Sequence, residues 1–455
     1  MGSYQKTILA IKRPAGQLAA PTMEIIPYVG TCTIDSQNGK FVTLYEVYCD
    51  GVLLTTISAA TGPRQTFELR DYISTQGVYT ITAIARGGLD VLTSPLSAEY
   101  EFNMLTIVLG VTGEAAADSR LTRTDSAVEL DFSINSSTGQ ISSDFDDVWP
   151  YSEISEVTDS IGNVFVRIPK FYIKRTYDSS TQRFTTKISN IQGEGYVLSP
   201  AFKDLEGNAK DWCYIGKYDM SRAASNAYSK SGQAPLVNIT HPATRTACAA
   251  NGAGYGMFDY WHWEILHVLF MIEFATTDSQ SIMRGRVDHG NAVNTGSCDS
   301  LGVNKSGWSL STMCMSYRGI ENLWGNVWQW LDGCTDGGAN QAPYICETPN
   351  AYESGKTTAP YVRLSYNTTA SGTVTKRMGF DSNYPLAAFP TESNGTDADA
   401  GGYYKDLRWS GGSCFFVGGD WGYASLAGLW CLASLTPSHA YANIGGRLVF
   451  FNNAF

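Results

Sequence analysis

Two stretches decide how this chain folds: Arg318-Gly319-Ile320-Glu321-Asn322-Leu323-Trp324-Gly325-Asn326-Val327-Trp328-Gln329-Trp330, and Gly418-Gly419-Asp420-Trp421 running on to Gly445-Gly446-Arg447-Leu448-Val449-Phe450. Each tryptophan brings a large apolar surface and one N–H that needs a partner once buried. The glycines between them permit tight turns and close backbone approach. Tryptophan and glycine alternating in this way predict rigid core seats with loops between them.

The second stretch sits in an unusual setting. Residues 411–455 contain no Lys, Glu, Gln or Met, although the first 410 residues hold 53 of them (Lys 14, Glu 17, Gln 12, Met 10). Uniform composition would put roughly six in the last forty-five. What remains is small, aromatic, acidic or aliphatic, with no period of 2 or 3.6. A regular frame (Gly418-Gly419, Trp421, Ala427-Gly428, Trp430, Pro437-Ser438, and Ala442 to Arg447) carries irregular contents. That pattern suits a display surface better than a reaction centre.

The whole chain sets the bounds. Its 455 residues can bury a sizeable core in two or three domains. A net charge of -11 argues against nucleic acid as a partner, because phosphate binding needs concentrated basic surface. No apolar run is long enough for a membrane span. The start, with Ile8 to Ile11 closed by Lys12-Arg13, is too short for a secretory leader, so synthesis in a cytoplasm is expected. Ten cysteines without a C-x-x-C pair make a zinc cluster improbable; buried free thiols are expected for most.

Between about residues 21 and 105 short alternating strands dominate. Asp50-Gly51 separates two of them, a strong hairpin signal. A small β-sandwich is expected there, after an N-terminal segment 1–20. Residues 106–144, rich in Ser, Thr, Asp and Ala, read as a linker or lead-in. From 145 to 455 the patterning is a strand over 164–174, one long helix capped by Asp259 and running to Phe274, then loop-rich aromatic segments. The expected fold class is α+β.

The two motifs, in this order and separation, resemble the C-type lectin fold of the formylglycine-generating-enzyme type. Pro437-Ser438-His439-Ala440-Tyr441-Ala442-Asn443-Ile444-Gly445-Gly446-Arg447 is more closely similar to the variable proteins of diversity-generating retroelements. The N-terminal part resembles the immunoglobulin-like modules of phage tail proteins. The resemblance implies that adenines in template codons are randomised over about 413–443. Codons of that kind end in a pyrimidine and cannot encode Lys, Glu, Gln, Met or Trp. It further implies a ligand-binding patch of Asp420, Gly422, Tyr423, Leu426, Cys431, Ala433, Leu435, Thr436, His439 and Tyr441, with Ser413, Phe415 and Phe416 as outer candidates. Trp328, Trp330, Trp421, Trp430 and Arg447 would form the constant frame.

Enzyme chemistry is not expected. The family's two reactive cysteines would fall at Tyr423 and Gly428, and neither is Cys. The five histidines lack ligand spacing, and His262 and His267 face different sides of the helix. Asp332 and Asp336 are read as a solvated acidic loop in preference to a calcium site; Tyr403, Tyr404 and Trp409 are read as core or pocket wall. No cofactor is expected, and any bound metal stays open. The functional expectation is a hypervariable receptor-binding protein at a phage tail-fibre tip. It would form a homotrimer, join other tail or appendage proteins, be carried on the virion, and grip a bacterial surface protein or glycan. The alternatives are a variable protein displayed on a bacterial surface, or an oxidase of the formylglycine-generating type.

Overall fold

A computed structural model describes residues 18–25, 31–36, 42–73, 77–87, 93–103, 106–114, 120–223, 225–369, 374–393 and 404–453. Most of the expected N-terminal segment 1–20 lies outside these residues, as does Tyr403. The chain divides into two units, Met1–Thr106 and Ile107–Phe455.

In the first unit, strands Thr22–Ile25, Thr31–Asp35 and Gln65–Glu68 form one antiparallel sheet. Strands Val52–Ser58, Val42–Cys49, Val78–Gly87 and Tyr100–Asn103 form another. Met23, Cys32 and Ile34 of the first sheet share a core with Tyr45, Val47, Ile81 and Ala83 of the second. Asp50 and Gly51 both take positive φ (48° and 79°), the turn that matches the twist of the paired strands.

The second unit begins at Ile107, within the stretch expected as a linker or lead-in. Val108–Glu114 pairs with Arg183–Ser189 and Thr122–Asp125 inside a five-stranded sheet. Arg123 donates to the carbonyls of Ile272 (3.2 Å) and Glu273 (2.5 Å), placing a cation at the C-terminal end of the long helix.

The α+β expectation is corrected: strand accounts for 39% and helix for 13%, so the molecule is β-rich. The α-helices among the described residues are α1 (His241–Ala249), α2 (Tyr260–Phe274) and the short α3 (Ser279–Ile282). The segments between the motifs, expected as loop-rich, carry two-residue strands such as Cys334–Thr335 and Tyr344–Ile345, and one longer antiparallel pair, Thr375–Phe380 with Ala388–Ser393. The expected strand over 164–174 breaks at Lys170-Phe171 into Val164–Pro169 and Tyr172–Asp178, which join different sheets.

Helix α2 begins where expected. The Asp259 carboxylate accepts from the His262 N–H at 2.9 Å, and the helix ends at Ala275 in the left-handed conformation. All fifteen of its residues are buried, so it is a central helix and not an amphipathic surface one. Its charged residues are paired: Glu264 with Arg175, Glu273 with Arg318. Trp263 Nε1 donates to the Leu429 carbonyl (3.0 Å), His267 Nε2 lies 2.9 Å from the same oxygen, and the His267 ring stacks on Trp430. Through these contacts α2 anchors a C-terminal sheet that carries both motifs.

Candidate functional site

The C-terminal sheet has the order Arg408–Ser410, Gly428–Leu435, Cys414–Gly418, Trp328–Trp330, Ile444–Gly445. Registered partners in a sheet point to the same side. The register therefore aligns Trp409, Ala433, Phe416 and Trp330 as one row across a single face. Leu435 and Cys414 form a second row on that face, and Trp328 pairs with Ile444. On the reverse face Asp336 gathers Arg408 Nη2 (2.8 Å), Ser410 Oγ (3.0 Å) and Ser434 Oγ (2.7 Å). Asp332 is held by Arg245 through two bonds of 2.6 and 2.7 Å. Both aspartates are buried and paired with arginine, which corrects the solvated-loop reading and leaves neither carboxylate to a cation. Among the described residues one group of three possible metal ligands occurs, Cys298, Cys314 and Glu321, and its two sulfurs are joined as a disulfide that spacing did not reveal.

The frame residues are seated as structural groups. Trp328, Trp330 and Trp430 are buried, and Trp330 Nε1 donates to the Ile239 carbonyl at 2.9 Å. Arg447 is fully buried. It donates to Gln329 Oε1 (2.8 Å), to Asp219 Oδ1 (3.2 Å) and to the carbonyls of Gly216, Lys217, Glu321 and Asn322. Trp421 is half-buried; its carbonyl accepts from the His289 N–H.

The thirteen patch candidates separate into two groups. Phe415, Phe416, Asp420, Cys431, Ala433 and Leu435 are buried. Cys431, Ala433 and Leu435 alternate along one strand and so sit beneath the surface on the Trp328 face. Burial pushes the Cys414 thiol up to about 12 and the Cys431 thiol well above its usual range, so neither is a thiolate at neutral pH. Asp420 is used internally: its carboxylate accepts from the Gly422 N–H (2.7 Å) and from the Asn443 side chain.

Gly422, Thr436 and Tyr441 are exposed, and Ser413, Tyr423, Leu426 and His439 are partly so. Several of these meet. Thr436 Oγ1 lies 2.9 Å from His439 Nδ1, and the His439 and Tyr441 rings stack with centroids 5.5 Å apart. The Tyr441 carbonyl accepts from the Asn238 N–H (2.9 Å), tying this loop to a groove of about 460 Å³ lined by Leu236, Ile239, Thr240 and Ala243. Tyr423 stands edge-on to Trp328 at 4.8 Å, and Asn443 links its turn to the same tryptophan through the Trp328 N–H. Sequence reasoning missed the groove; of its two readings for Trp409, core or pocket wall, the 40% exposure of that side chain excludes the core. Tyr404, by contrast, is buried against Trp430.

These observations define a β-rich protein of two units whose C-terminal sheet bears a neutral, aromatic rim. From Trp409 to Gly446 the only Asp, Glu, Lys or Arg is Asp420, which is buried. No known protein-family profile matches the chain, and no curated protein matches it. Among solved structures the chain is similar to the one titled "Major Tropism Determinant U1 Variant", at 12% identity and a TM-score of 0.27, over 84% of this chain and 83% of that one. At that score nothing is carried over from it. Among the described residues no helix is long and apolar enough to cross a membrane.

Proposed function

We propose that this chain is a hypervariable receptor-binding protein, a phage tail-fibre tip adhesin whose C-terminal domain, of the C-type lectin type, recognises a bacterial surface molecule. One observation carries the reading. The side chains of Tyr423, Thr436, His439 and Tyr441 reach the surface around a frame in which Trp328, Trp330, Trp430 and Arg447 are buried. Rim residues can change there without emptying the core. The missing Lys, Glu, Gln and Met of residues 411–455 agree with codon-restricted diversification. On this reading the buried candidates Cys431, Ala433 and Leu435 act as support, and contact falls to the rim. The N-terminal sandwich serves as an immunoglobulin-like spacer, and a homotrimer would raise weak single-site binding by avidity of roughly 10²–10⁴. The protein needs no enzymatic step or cofactor for this role.

The test exchanges Tyr423 for another aromatic residue, and Thr436, His439 and Tyr441 for other small or aromatic residues, and measures thermal unfolding and adhesion to a panel of bacterial cells. The set of cells bound should change while the midpoint stays nearly constant. Unfolding as severe as that of a Trp328 variant would sink the proposal.

A further inference from the structure

Trp409 is the large side chain that the candidate site leaves unexplained. It lies on the edge strand of the C-terminal sheet, directly beside Ala433 and on the same face. Ala433 is small, so the indole has no bulky neighbour to cover it, and 40% of it remains in water. An exposed tryptophan on a sheet edge forgoes burial of apolar area worth about 25 cal/mol per Å².

The ring is nevertheless held in place. A Cβ built on Gly411 would stand 2.1 Å from Trp409 Cη2 and 2.7 Å from Cζ2 and Cζ3. The benzo ring therefore rests against glycine, at a distance that no other residue allows. Gly412 is pressed as closely on the next strand end: its Cβ would meet the Leu435 carbonyl carbon at 2.0 Å and the Thr436 nitrogen at 2.1 Å. The turn bearing the tryptophan thus abuts Thr436, which contacts His439, which stacks on Tyr441. The result is a supported aromatic plate beside a rim of hydroxyl, imidazole and phenol groups.

Charge narrows the ligand. Arg408 is turned inward to Asp336, and Asp406 accepts from the Trp430 N–H. Between Trp409 and Gly446 the chain itself supplies no exposed carboxylate, ammonium or guanidinium, since Asp420 is buried. An ionic ligand would find no counter-charge in this segment. A pyranose is apolar on its C–H faces and lined with hydroxyls at its edge, which matches an indole plate bordered by hydroxyl and ring-nitrogen groups.

Resting on the display reading above, we infer that Trp409, seated on Gly411, is a stacking platform for one sugar ring of a neutral bacterial surface glycan, whose further sugars run along the rim of Thr436, His439 and Tyr441. The experiment applies the full chain to an array of bacterial polysaccharides and lipopolysaccharide O-chains, and to a panel of intact cells with and without periodate or proteinase treatment. We expect saturable binding to a neutral glycan, lost from periodate-treated cells and kept on proteinase-treated ones. Trp409→Ala should weaken it tenfold or more, Trp409→Tyr should retain part of it, and Gly411→Ala, which lifts the ring without removing it, should also weaken it. Thermal unfolding of Trp409→Tyr close to wild type checks that the fold is intact. Adhesion that survives both periodate and Trp409→Ala but is lost after proteinase would overturn the glycan assignment and leave the display reading standing. Absence of adhesion to every cell and every glycan would overturn both.

Discussion

The strand Gly428–Leu435 and the loop 436–442 that continues it draw on the same small, aromatic and aliphatic residues, yet all eight strand residues are buried and most of the loop faces water. The strand is second from one sheet edge and paired on both sides: with Arg408–Ser410 on one and with Cys414–Gly418 on the other. Helix α2 covers its Trp430 side through His267 and Trp263. The loop is held by its backbone, through Asn238 to Tyr441 and Ile444 to Tyr441, and its side chains contact one another outside the core. Tolerance to substitution therefore follows position in the sheet, not residue type.

That contrast can be broken in several ways. The largest effect is expected for Trp330→Ala in the support face, a loss of about 3–5 kcal/mol read from denaturant unfolding. Leu435→Ala, at the last buried position before the loop, should cost about 2–4 kcal/mol in the same assay. Ala433→Leu tests the row beneath the indole: overpacking there should cost about 1–3 kcal/mol and shift the fluorescence of the exposed tryptophan.

A pH series sharpens the comparison on the strand side. Burial raises the Asp406 carboxyl well above its usual range, and the Trp430 N–H only partly opposes this. A folded value above the unfolded one means that the contribution to stability is complete below about pH 4 and is lost as pH rises through the folded value. Asp406→Asn should therefore gain in melting temperature relative to wild type as pH increases from 4 towards 9; a constant difference would contradict this assignment. The smallest change is expected for Thr436→Ala and Tyr441→Ser in the loop, within about 0.5 kcal/mol by thermal unfolding.

Much of the local structure was readable in advance, because it depends on neighbours in sequence. The Asp50-Gly51 hairpin and the Asp259 cap of α2 both come from short-range backbone geometry. The strand holding Cys431, Ala433 and Leu435 was not readable. It is covered on both faces, so the polar alternation that marks a half-exposed strand is absent. The same double burial concealed that these three candidates share one side, beneath the rim. Whether the stretch 106–144 links the units or leads into the second was not readable, because its Ser, Thr and Asp sit on short hairpins and its Arg123 caps a helix far along the chain.

Sequence alone determined where the tryptophan-and-glycine seats lie and that Asp420 is the one charged residue in 411–446, since both are written in residue identity. Tertiary structure alone decided which of the intervening side chains meet water. Strand register set Trp409 beside a small alanine and Leu435 beneath a covered face, and register is a property of paired strands that no single segment contains.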